Sequence, residues 1–149
     1  MARSEGRVMT AILGRVALDG RPVDEQRFRQ AFDALRPART ARSDVSVSGA
    51  LGVGHHDSGL DRAAPQPVTE GPLTLVADAR LYNREDLARA LDCPADVTPD
   101  ARLILRAYIR WGADCLQRIN GDFGIAIHDA DKRDLFLARD HIGARPLFW

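Results

Sequence analysis

Apolar and polar residues alternate along several short stretches of the chain, a pattern typical of half-buried β-strands. The alternation occurs at Val45 and Val47, which serines separate, and the mostly apolar stretch Val8–Ala17 also predicts a strand. The alternation is clearest in Phe123–His128, whereas Leu73–Ala77 is a continuous apolar run that indicates a fully buried strand. The pattern therefore predicts strands spread along the whole chain.

The last quarter of the sequence has the pattern of a β-hairpin. The alternating stretch Phe123–His128 is followed by the polar segment Asp129–Asp134, which predicts a turn. The returning strand, Leu135–Ala138, is apolar on both faces, so we expect it to lie between two covering layers.

Helical periodicity marks three other stretches. Glu25–Leu35 carries one apolar stripe, Asn83 is predicted to cap a short helix over Arg84–Leu91, and Thr98-Pro99 opens a third helix. Strands and helices together predict an α+β domain. Six apolar side chains are expected to be mostly buried in it: Phe28, Phe32, Ile104, Tyr108, Ile125 and Leu137.

The composition is ordinary for a soluble globular protein, with 45% hydrophobic and 28% charged residues among 149. The 21 Lys and Arg residues balance 21 Asp and Glu residues, so we expect no nucleic-acid partner and no membrane association. Cys93 and Cys115 are too few for a disulfide framework, which predicts a reduced, cytoplasmic setting. Residues 1–7 are predicted to be a disordered lead-in without a signal peptide, and residues 8–149 one domain.

Two motifs in the last quarter carry a family resemblance. The first is G-D-F-G-I-A-I-H-D at Gly121–Asp129, and the second is L-A-R-D-H-I-G-A-R-P-L-F at Leu137–Phe148. Together they resemble the N-terminal glutaminase domain of asparagine synthetases, a class II glutamine amidotransferase of the N-terminal-nucleophile type. The resemblance implies a four-layer αββα sandwich of two antiparallel sheets. It also implies that the domain is truncated before a synthetase domain.

The resemblance assigns the family's catalytic and substrate-binding residues to positions in this chain. The nucleophilic cysteine, which opens the mature chain and uses its own α-amino group as base, corresponds to Thr10. The oxyanion-hole asparagine and glycine correspond to Asp78 and Ala79, and the acid that pairs with the substrate ammonium corresponds to Asp100. The arginine that clamps the substrate carboxylate has no counterpart in Gly54–Gly59. The resemblance therefore implies a lost glutaminase, with Asp100 either a vestigial substrate contact or an acid that stabilises its helix.

Two further interpretations concern the same region. If processing exposed Thr10, it would become an N-terminal nucleophile, and the domain would be an active glutamine-hydrolysing amidotransferase. The stretch His55–Pro67 is predicted to be a loop, in which His55, His56 and Asp57 are residue types that bind metals. Adjacent residues rarely converge on one ion and no fourth ligand is evident, so we expect no metal.

Family relatives without the cysteine use an amine already present in their substrate and close an amide ring, as β-lactam synthetases and lasso-peptide cyclases do. The resemblance therefore implies a structural or docking domain of an ATP-dependent ligase, most like a lasso-peptide macrolactam cyclase. ATP and Mg²⁺ would belong to the missing synthetase domain, and no cofactor is expected in this segment. The expected partner is that synthetase domain or a second copy bound through the apolar edge Leu147–Trp149, with a precursor peptide as a further candidate.

Overall fold

The computed structural model describes residues 10–59 and 64–149, and seven strands lie in this part of the chain. They are β1 (Ala11–Val16), β2 (Arg42–Ser48), β3 (Leu51–Asp57), β4 (Val68–Glu70), β5 (Leu73–Leu81), β6 (Gly121–Asp129) and β7 (Asp134–Arg139). The first sheet has the order β1-β3-β2, and the second sheet has the order β4-β5-β6-β7. All neighbouring strands are antiparallel.

Helices cover the outer faces of the two sheets. Helix α1 (Glu25–Ala34) contacts β3, while α3 (Asp100–Trp111) contacts β5 and packs beside α2 (Arg84–Ala90) and the 3-10 turn Gly112–Gln117. Between the helices, β1 and β3 of the first sheet contact β5 of the second. The layers are therefore helix, sheet, sheet and helix, which confirms the predicted sandwich. Within the described residues, no helix is both long and apolar enough to cross a membrane.

Helix α1 packs close to the first sheet because β3 has glycines at the positions that the phenylalanine rings of the helix cover. A Cβ on Gly52 would lie 2.9 Å from the Phe28 ring, and one on Gly54 would lie 2.5 Å from the Phe32 ring. Both phenylalanines are 3% exposed, as predicted. The helix begins at Asp24, whose carboxylate accepts a hydrogen bond from the Arg27 N–H. A local cap and two close aromatic contacts therefore fix this layer.

The main hydrophobic core lies between the second sheet and α3. Five of its side chains, from the helix and from both central strands, have an exposed fraction of 0%: Leu75, Leu103, Ile104, Leu105 and Ile125. Full burial of each such side chain stabilises the fold by about 1.5–3 kcal/mol. This interface is therefore the main source of hydrophobic stabilisation in the described part of the chain.

Two predicted segments differ from the observed strands. The strand expected over Val8–Ala17 covers Ala11–Val16, and its first two residues lie outside the described part of the chain. The loop expected from His55 was wrong at its start, because β3 continues in register through Asp57 and pairs there with Arg42. The strand extends through these polar residues because hydrogen bonds to β2 on one side and β1 on the other hold its backbone.

The expectation that Leu135–Ala138 lies between two covering layers was also wrong. These residues belong to β7, which is the edge strand of the second sheet, and Leu135 is 38% exposed. Leu137 and Tyr108 are partly exposed and so are less covered than the other four side chains that were expected to be mostly buried. The first sheet has three strands and the second has four, so the β7 edge is only partly covered.

Asn83 does not cap α2 through its side chain, contrary to the prediction. Its amide nitrogen donates a hydrogen bond to the carbonyl of Arg118 at 2.8 Å, and its amide oxygen accepts one from the Asn120 N–H at 3.0 Å. Asn83 therefore ties the end of β5 to the segment before β6.

Candidate functional site

One cavity brings together residues from three distant parts of the sequence. Thr10 lies just before β1, Asp78 and Ala79 lie on β5, and Asp100 is the first residue of α3, and all four line this cavity. Its volume is about 30 Å³, and it is partly open to solvent. Since a cavity needs about 10–15 Å³ of such volume to hold a water molecule, it has room for about two waters. Sequence reasoning therefore named residues that share one small site.

Thr10 is next to a second hydroxyl. Its Oγ1 lies 3.3 Å from Ser58 Oγ, and either atom can be the donor. The Thr10 nitrogen forms a peptide bond with Met9 and is therefore not a basic amine. A neighbouring hydroxyl is not a general base near neutral pH, so this contact does not activate Thr10 as a nucleophile.

Asp78 forms an ion pair with a residue near the C-terminus. Its Oδ2 lies 3.5 Å from an Arg145 guanidinium nitrogen, and its side chain is 15% exposed. Asp78 is paired in the β-ladder with Gly124, and a Cβ on this glycine would touch Arg145 and the Pro146 carbonyl. The C-terminal segment therefore packs over β6 at Gly124, next to Asp78 on β5.

Asp100 is held by two contacts on the protein itself. Its Oδ2 accepts a hydrogen bond from the Leu81 N–H at 2.9 Å, and its Oδ1 lies 3.0 Å from Arg84 Nε in a mostly buried ion pair. Arg84 also donates hydrogen bonds to the carbonyls of Ala95 and Thr98. Asp100 thus joins the start of α3 to the end of β5.

Gln66 is the residue of this site that sequence reasoning missed. Its Oε1 accepts from the Ala77 N–H at 2.7 Å, and its Nε2 donates to the Ala77 carbonyl at 2.9 Å. The same Nε2 lies 3.2 Å from His55 Nε2. A glutamine preceding a proline in a polar stretch carries no sequence signal for a buried role. The fold shows that it bridges β5 of the second sheet and β3 of the first.

The Gln66 contacts determine the tautomer of His55. Since the Gln66 Nε2 is a donor, His55 Nε2 accepts, and the neutral imidazole then carries its proton on Nδ1, which is buried and has no hydrogen-bond partner among the described residues. His55 is 2% exposed, and burial lowers its pKa below the ordinary value, although Asp57 and Asp44 oppose the shift. His55 is therefore a neutral, buried link between the sheets.

His55, His56 and Asp57 do not converge on one point. His55 and Asp57 line the cavity, whereas the His56 ring is stacked on Phe32 of α1 with the ring centroids 3.8 Å apart. Successive side chains of a strand project from opposite faces of the sheet, so the His56 side chain lies on the face opposite to those of His55 and Asp57. In the described ranges 10–59 and 64–149, no three His, Cys, Asp or Glu side chains form a cluster that could hold a metal ion.

The described lining of the cavity has an acidic character. It contains the carboxylates of Asp57, Asp78 and Asp100, and no lysine or arginine occurs among its described residues. Asp57 is 5% exposed, and its Oδ1 accepts a hydrogen bond from the Gly59 N–H at 2.8 Å. The cations that balance Asp78 and Asp100, Arg145 and Arg84, approach from outside the lining.

A sequence profile of a family described as glutamine amidotransferase domain matches residues 9–149. Asparagine synthetase [glutamine-hydrolyzing] 3 of Bacillus subtilis (strain 168) is 37% identical over 79 residues, which cover 51% of this chain and 13% of the relative. Carboxyethyl-arginine beta-lactam-synthase of Streptomyces clavuligerus is 36% identical over 90 residues, or 59% of this chain and 17% of the relative. The chain therefore spans a small part of the relatives it matches.

A solved structure confirms the fold type. Glutamine phosphoribosylpyrophosphate (PRPP) amidotransferase from B. subtilis, complexed with ADP and GMP, superposes with a TM-score of 0.53 and 19% sequence identity. The match covers 67% of this chain and 25% of that chain. At this identity the likeness shows the arrangement of sheets and helices and nothing about the chemistry.

Proposed function

Because this chain belongs to the glutamine amidotransferase domain family, we propose that it is a glutaminase-type domain that has lost glutamine hydrolysis. It serves as a structural or docking domain of an ATP-dependent, amide-bond-forming ligase related to the asparagine synthetases. The observation that supports the proposal is the shared cavity, which is lined by Thr10 and Asp78, the two residues that the family resemblance aligns with the nucleophile and the oxyanion-hole donor.

The nucleophile position lacks an activating group. Attack on the side-chain amide of glutamine needs a thiolate or an alkoxide, with a base that takes the proton. In the family that base is the free α-amino group of the same residue, but the Thr10 nitrogen is part of a peptide bond. The Thr10 hydroxyl is in contact with Ser58, which is itself a weak acid. Thr10 therefore has a structural role at the start of β1 and does not act as a nucleophile.

The oxyanion position has the wrong charge. An oxyanion hole needs hydrogen-bond donors aimed at the oxygen that becomes negative, and an ionised carboxylate only accepts hydrogen bonds. The ion pair with Arg145 fixes the Asp78 carboxylate on the wall of the cavity. A tetrahedral intermediate would thus develop its negative charge beside an existing one, which raises the barrier to its formation.

The remaining features of the cavity agree with this proposal. Both carboxylate oxygens of Asp100 have partners in the protein, so binding of a substrate ammonium there would compete with Leu81 and Arg84. Asp57 adds a third carboxylate to the lining, which opposes the approach of a substrate carboxylate because like charges repel.

A domain that does not hydrolyse glutamine supplies no ammonia, so the longer protein that contains it would be a ligase that needs none. Such an enzyme would activate a carboxylate with ATP and Mg²⁺ in a synthetase domain, and an amine of the same substrate would close the ring. A relative named for a β-lactam product supports this class. Within it we place the chain with the lasso-peptide macrolactam cyclases, with a precursor peptide as substrate and a cytoplasmic setting.

Glutamine hydrolysis by the purified chain tests the proposal. The intact mass is measured first, to establish whether Met9 still precedes Thr10. We expect ammonia release with glutamine to equal the rate without protein, both for wild type and for Thr10→Ala. Release by the wild type that Thr10→Ala abolishes would overturn the proposal and would establish the alternative, an active amidotransferase with Thr10 exposed by processing.

A further inference from the structure

The side-chain amide of Gln66 has one orientation that satisfies its contacts. Its Oε1 accepts a hydrogen bond from the Ala77 N–H at 2.7 Å, and its Nε2 donates one to the Ala77 carbonyl at 2.9 Å. A rotation of the amide by 180° would place oxygen against the carbonyl and nitrogen against the N–H, which breaks both hydrogen bonds. The second N–H of Nε2 is therefore left for His55 Nε2, which lies 3.2 Å away.

His55 fits this arrangement only while its Nε2 carries no proton. A neutral imidazole has one acceptor nitrogen, whereas an imidazolium ion has two donor nitrogens and no acceptor. If His55 took up a proton, its Nε2–H would face the N–H of Gln66, donor against donor. His55 is 2% exposed and Gln66 is 7% exposed, so little water is available to relieve the conflict.

The next residue of β3 has no such conflict. His56 Nε2 lies 2.8 Å from the Phe32 carbonyl, which only accepts hydrogen bonds, and His56 Nδ1 lies 2.8 Å from Ser43 Oγ, a hydroxyl that can donate or accept. A proton on His56 would keep both contacts after a rotation of the Ser43 hydroxyl. Of these two buried histidines, His55 is therefore the one whose hydrogen bonds exclude a proton.

A protonated His55 has a carboxylate close at hand. Asp44 is paired with His55 in the β2–β3 ladder, so both side chains lie on the same face of the first sheet. Asp44 Oδ2 is buried and has no hydrogen-bond partner among the described residues, although Arg42 Nε lies 3.7 Å away. His55 Nδ1 is buried without a partner in the same way. A second arrangement, in which the ring pairs with Asp44, is therefore available to the charged form.

The charged groups around His55 act on its protonation in both directions. Burial has the largest effect and lowers its pKa below the ordinary value. Asp57 and Asp44 oppose the decrease, whereas Arg42 and His56 add to it. The other ionisable side chains that line the same cavity, Asp78 on β5 and Asp100 at the start of α3, are each paired with an arginine of the chain.

We propose that His55 and Gln66 form a proton-operated latch between the two sheets. While His55 is neutral, Gln66 holds the backbone of Ala77, and when His55 takes up a proton, the ring pairs with Asp44 and Gln66 releases Ala77. Asp78 and Ala79 follow Ala77 directly on β5, so release loosens the wall of the Thr10 cavity. The latch does not depend on whether the domain hydrolyses glutamine, because no step of it involves that reaction.

Hydrogen exchange of the Ala77 amide, followed by NMR on the full 149-residue chain, tests the latch. Protection is expressed relative to an unfolded amide at the same pH, which removes the intrinsic pH dependence of exchange. We expect the protection of Ala77 to be constant above about pH 6.5 and to fall below it by up to about tenfold per pH unit, because the released form holds one more proton.

Low concentrations of urea distinguish release of the latch from unfolding of the whole domain. A local release exposes little surface, so exchange of Ala77 should hardly change with urea. The amide of Leu105, whose side chain is 0% exposed in the middle of α3, should exchange only on global unfolding and therefore accelerate with urea. An Ala77 rate that rises as steeply as that of Leu105 would overturn the proposal.

Matched substitutions of two histidines isolate the titrating group. In His55→Leu the protection of Ala77 should no longer vary with pH below about 6.5. His141→Leu removes an exposed histidine from the loop after β7 and should keep the pH dependence of the wild type. An unchanged pH dependence in His55→Leu would overturn the latch. So would constant protection of Ala77 in the wild type while the ring resonances of His55 titrate, a result that requires no variant to fold.

Discussion

The second sheet packs against helices on one face and against the first sheet on the other, and the two interfaces differ in packing. Against α3, side chains such as Leu75, Ile104 and Ile125 have an exposed fraction of 0%. Between the sheets there is a cavity of about 30 Å³ at Thr10 and an apolar groove of about 170 Å³ lined by residues that include Ile12, Val76 and Leu137. The tightly packed helix side is therefore the side that contributes most to the stability of the domain.

The intersheet space itself differs between its two ends. At the polar end, Gln66 and Asp78 have partners within the chain, and His55 Nε2 faces the Gln66 amide. At the apolar end, the walls of the groove are aliphatic side chains from both sheets, among them Ile12, Val53 and Leu137.

The largest expected effect is a difference between the two interfaces when one isoleucine in each is truncated. Ile125→Ala in the helix-side core should lower the free energy of unfolding by about 2–5 kcal/mol, because it leaves a cavity among fully buried neighbours. Ile12→Ala in the half-buried groove wall should lower it by less than about 2 kcal/mol, since the groove is already loosely packed. Urea denaturation measures both.

The two isoleucines provide matched controls for each other because the deleted atoms are identical. Equal losses of unfolding free energy for Ile125→Ala and Ile12→Ala would contradict the claim that stability is concentrated on the helix side. We expect the unfolding free energy of both variants to fall with urea concentration at the same slope. An equal slope excludes a change in the unfolded ensemble as the cause of the difference in stability.

The next effect concerns the polar link between the sheets. Gln66→Met keeps the length of the side chain but removes its hydrogen bonds with Ala77 and His55. We expect a loss of about 1–3 kcal/mol in unfolding free energy, the usual penalty for leaving buried polar groups without partners. A thermal or urea transition equal to that of the wild type would show that the link is dispensable.

The smallest effect is a pH dependence due to His55. Its pKa in the folded chain is below the value of about 6.5 for an unperturbed histidine, so the unfolded chain takes up the proton first as the pH falls. The contribution of His55 to stability is therefore complete above about pH 6.5. It is lost as the pH falls from there through the lower pKa of the folded state, with a slope of at most about 1.4 kcal/mol per pH unit.

The variant His55→Leu isolates this contribution. It retains the other histidines and all carboxylates, so its unfolding free energy should vary less with pH than that of the wild type just below pH 6.5. Urea denaturation at a series of pH values gives both curves. Parallel curves would mean that His55 has an ordinary pKa in the folded chain.

The fold could be predicted from the sequence where local pattern and tertiary packing agree. Phe28 and Phe32 on α1 and Ile104 on α3 follow helical periodicity and are buried as expected. Periodicity failed at β3, where His55 and Asp57 are polar residues buried by the opposite sheet. It failed again at β7, because an apolar pattern alone does not show which strand lies at the edge of a sheet.

The site could be predicted only where the family motifs carry it. Thr10, Asp78, Ala79 and Asp100 were aligned by resemblance, and they do share one cavity. Gln66 could not be found, because its role depends on the Ala77 backbone and on His55, which only the folded chain brings close. The ion pair of Asp78 with Arg145 joins positions far apart in sequence, and no pattern of charges in the chain specifies it.

We expect this domain to have kept the sandwich fold without the ability to hydrolyse glutamine. Glutamine hydrolysis by a Thr10→Cys variant tests this expectation most directly. The variant is produced so that position 10 is its first residue, which supplies both a thiol and a free α-amino group. We predict ammonia release equal to the background without protein, because Asp78 still places a carboxylate where an oxyanion would form and the described lining of the cavity contains no arginine. Glutamine-dependent ammonia release that stops when the new thiol is alkylated would contradict the account, since the cavity would then be a complete active site lacking only its nucleophile.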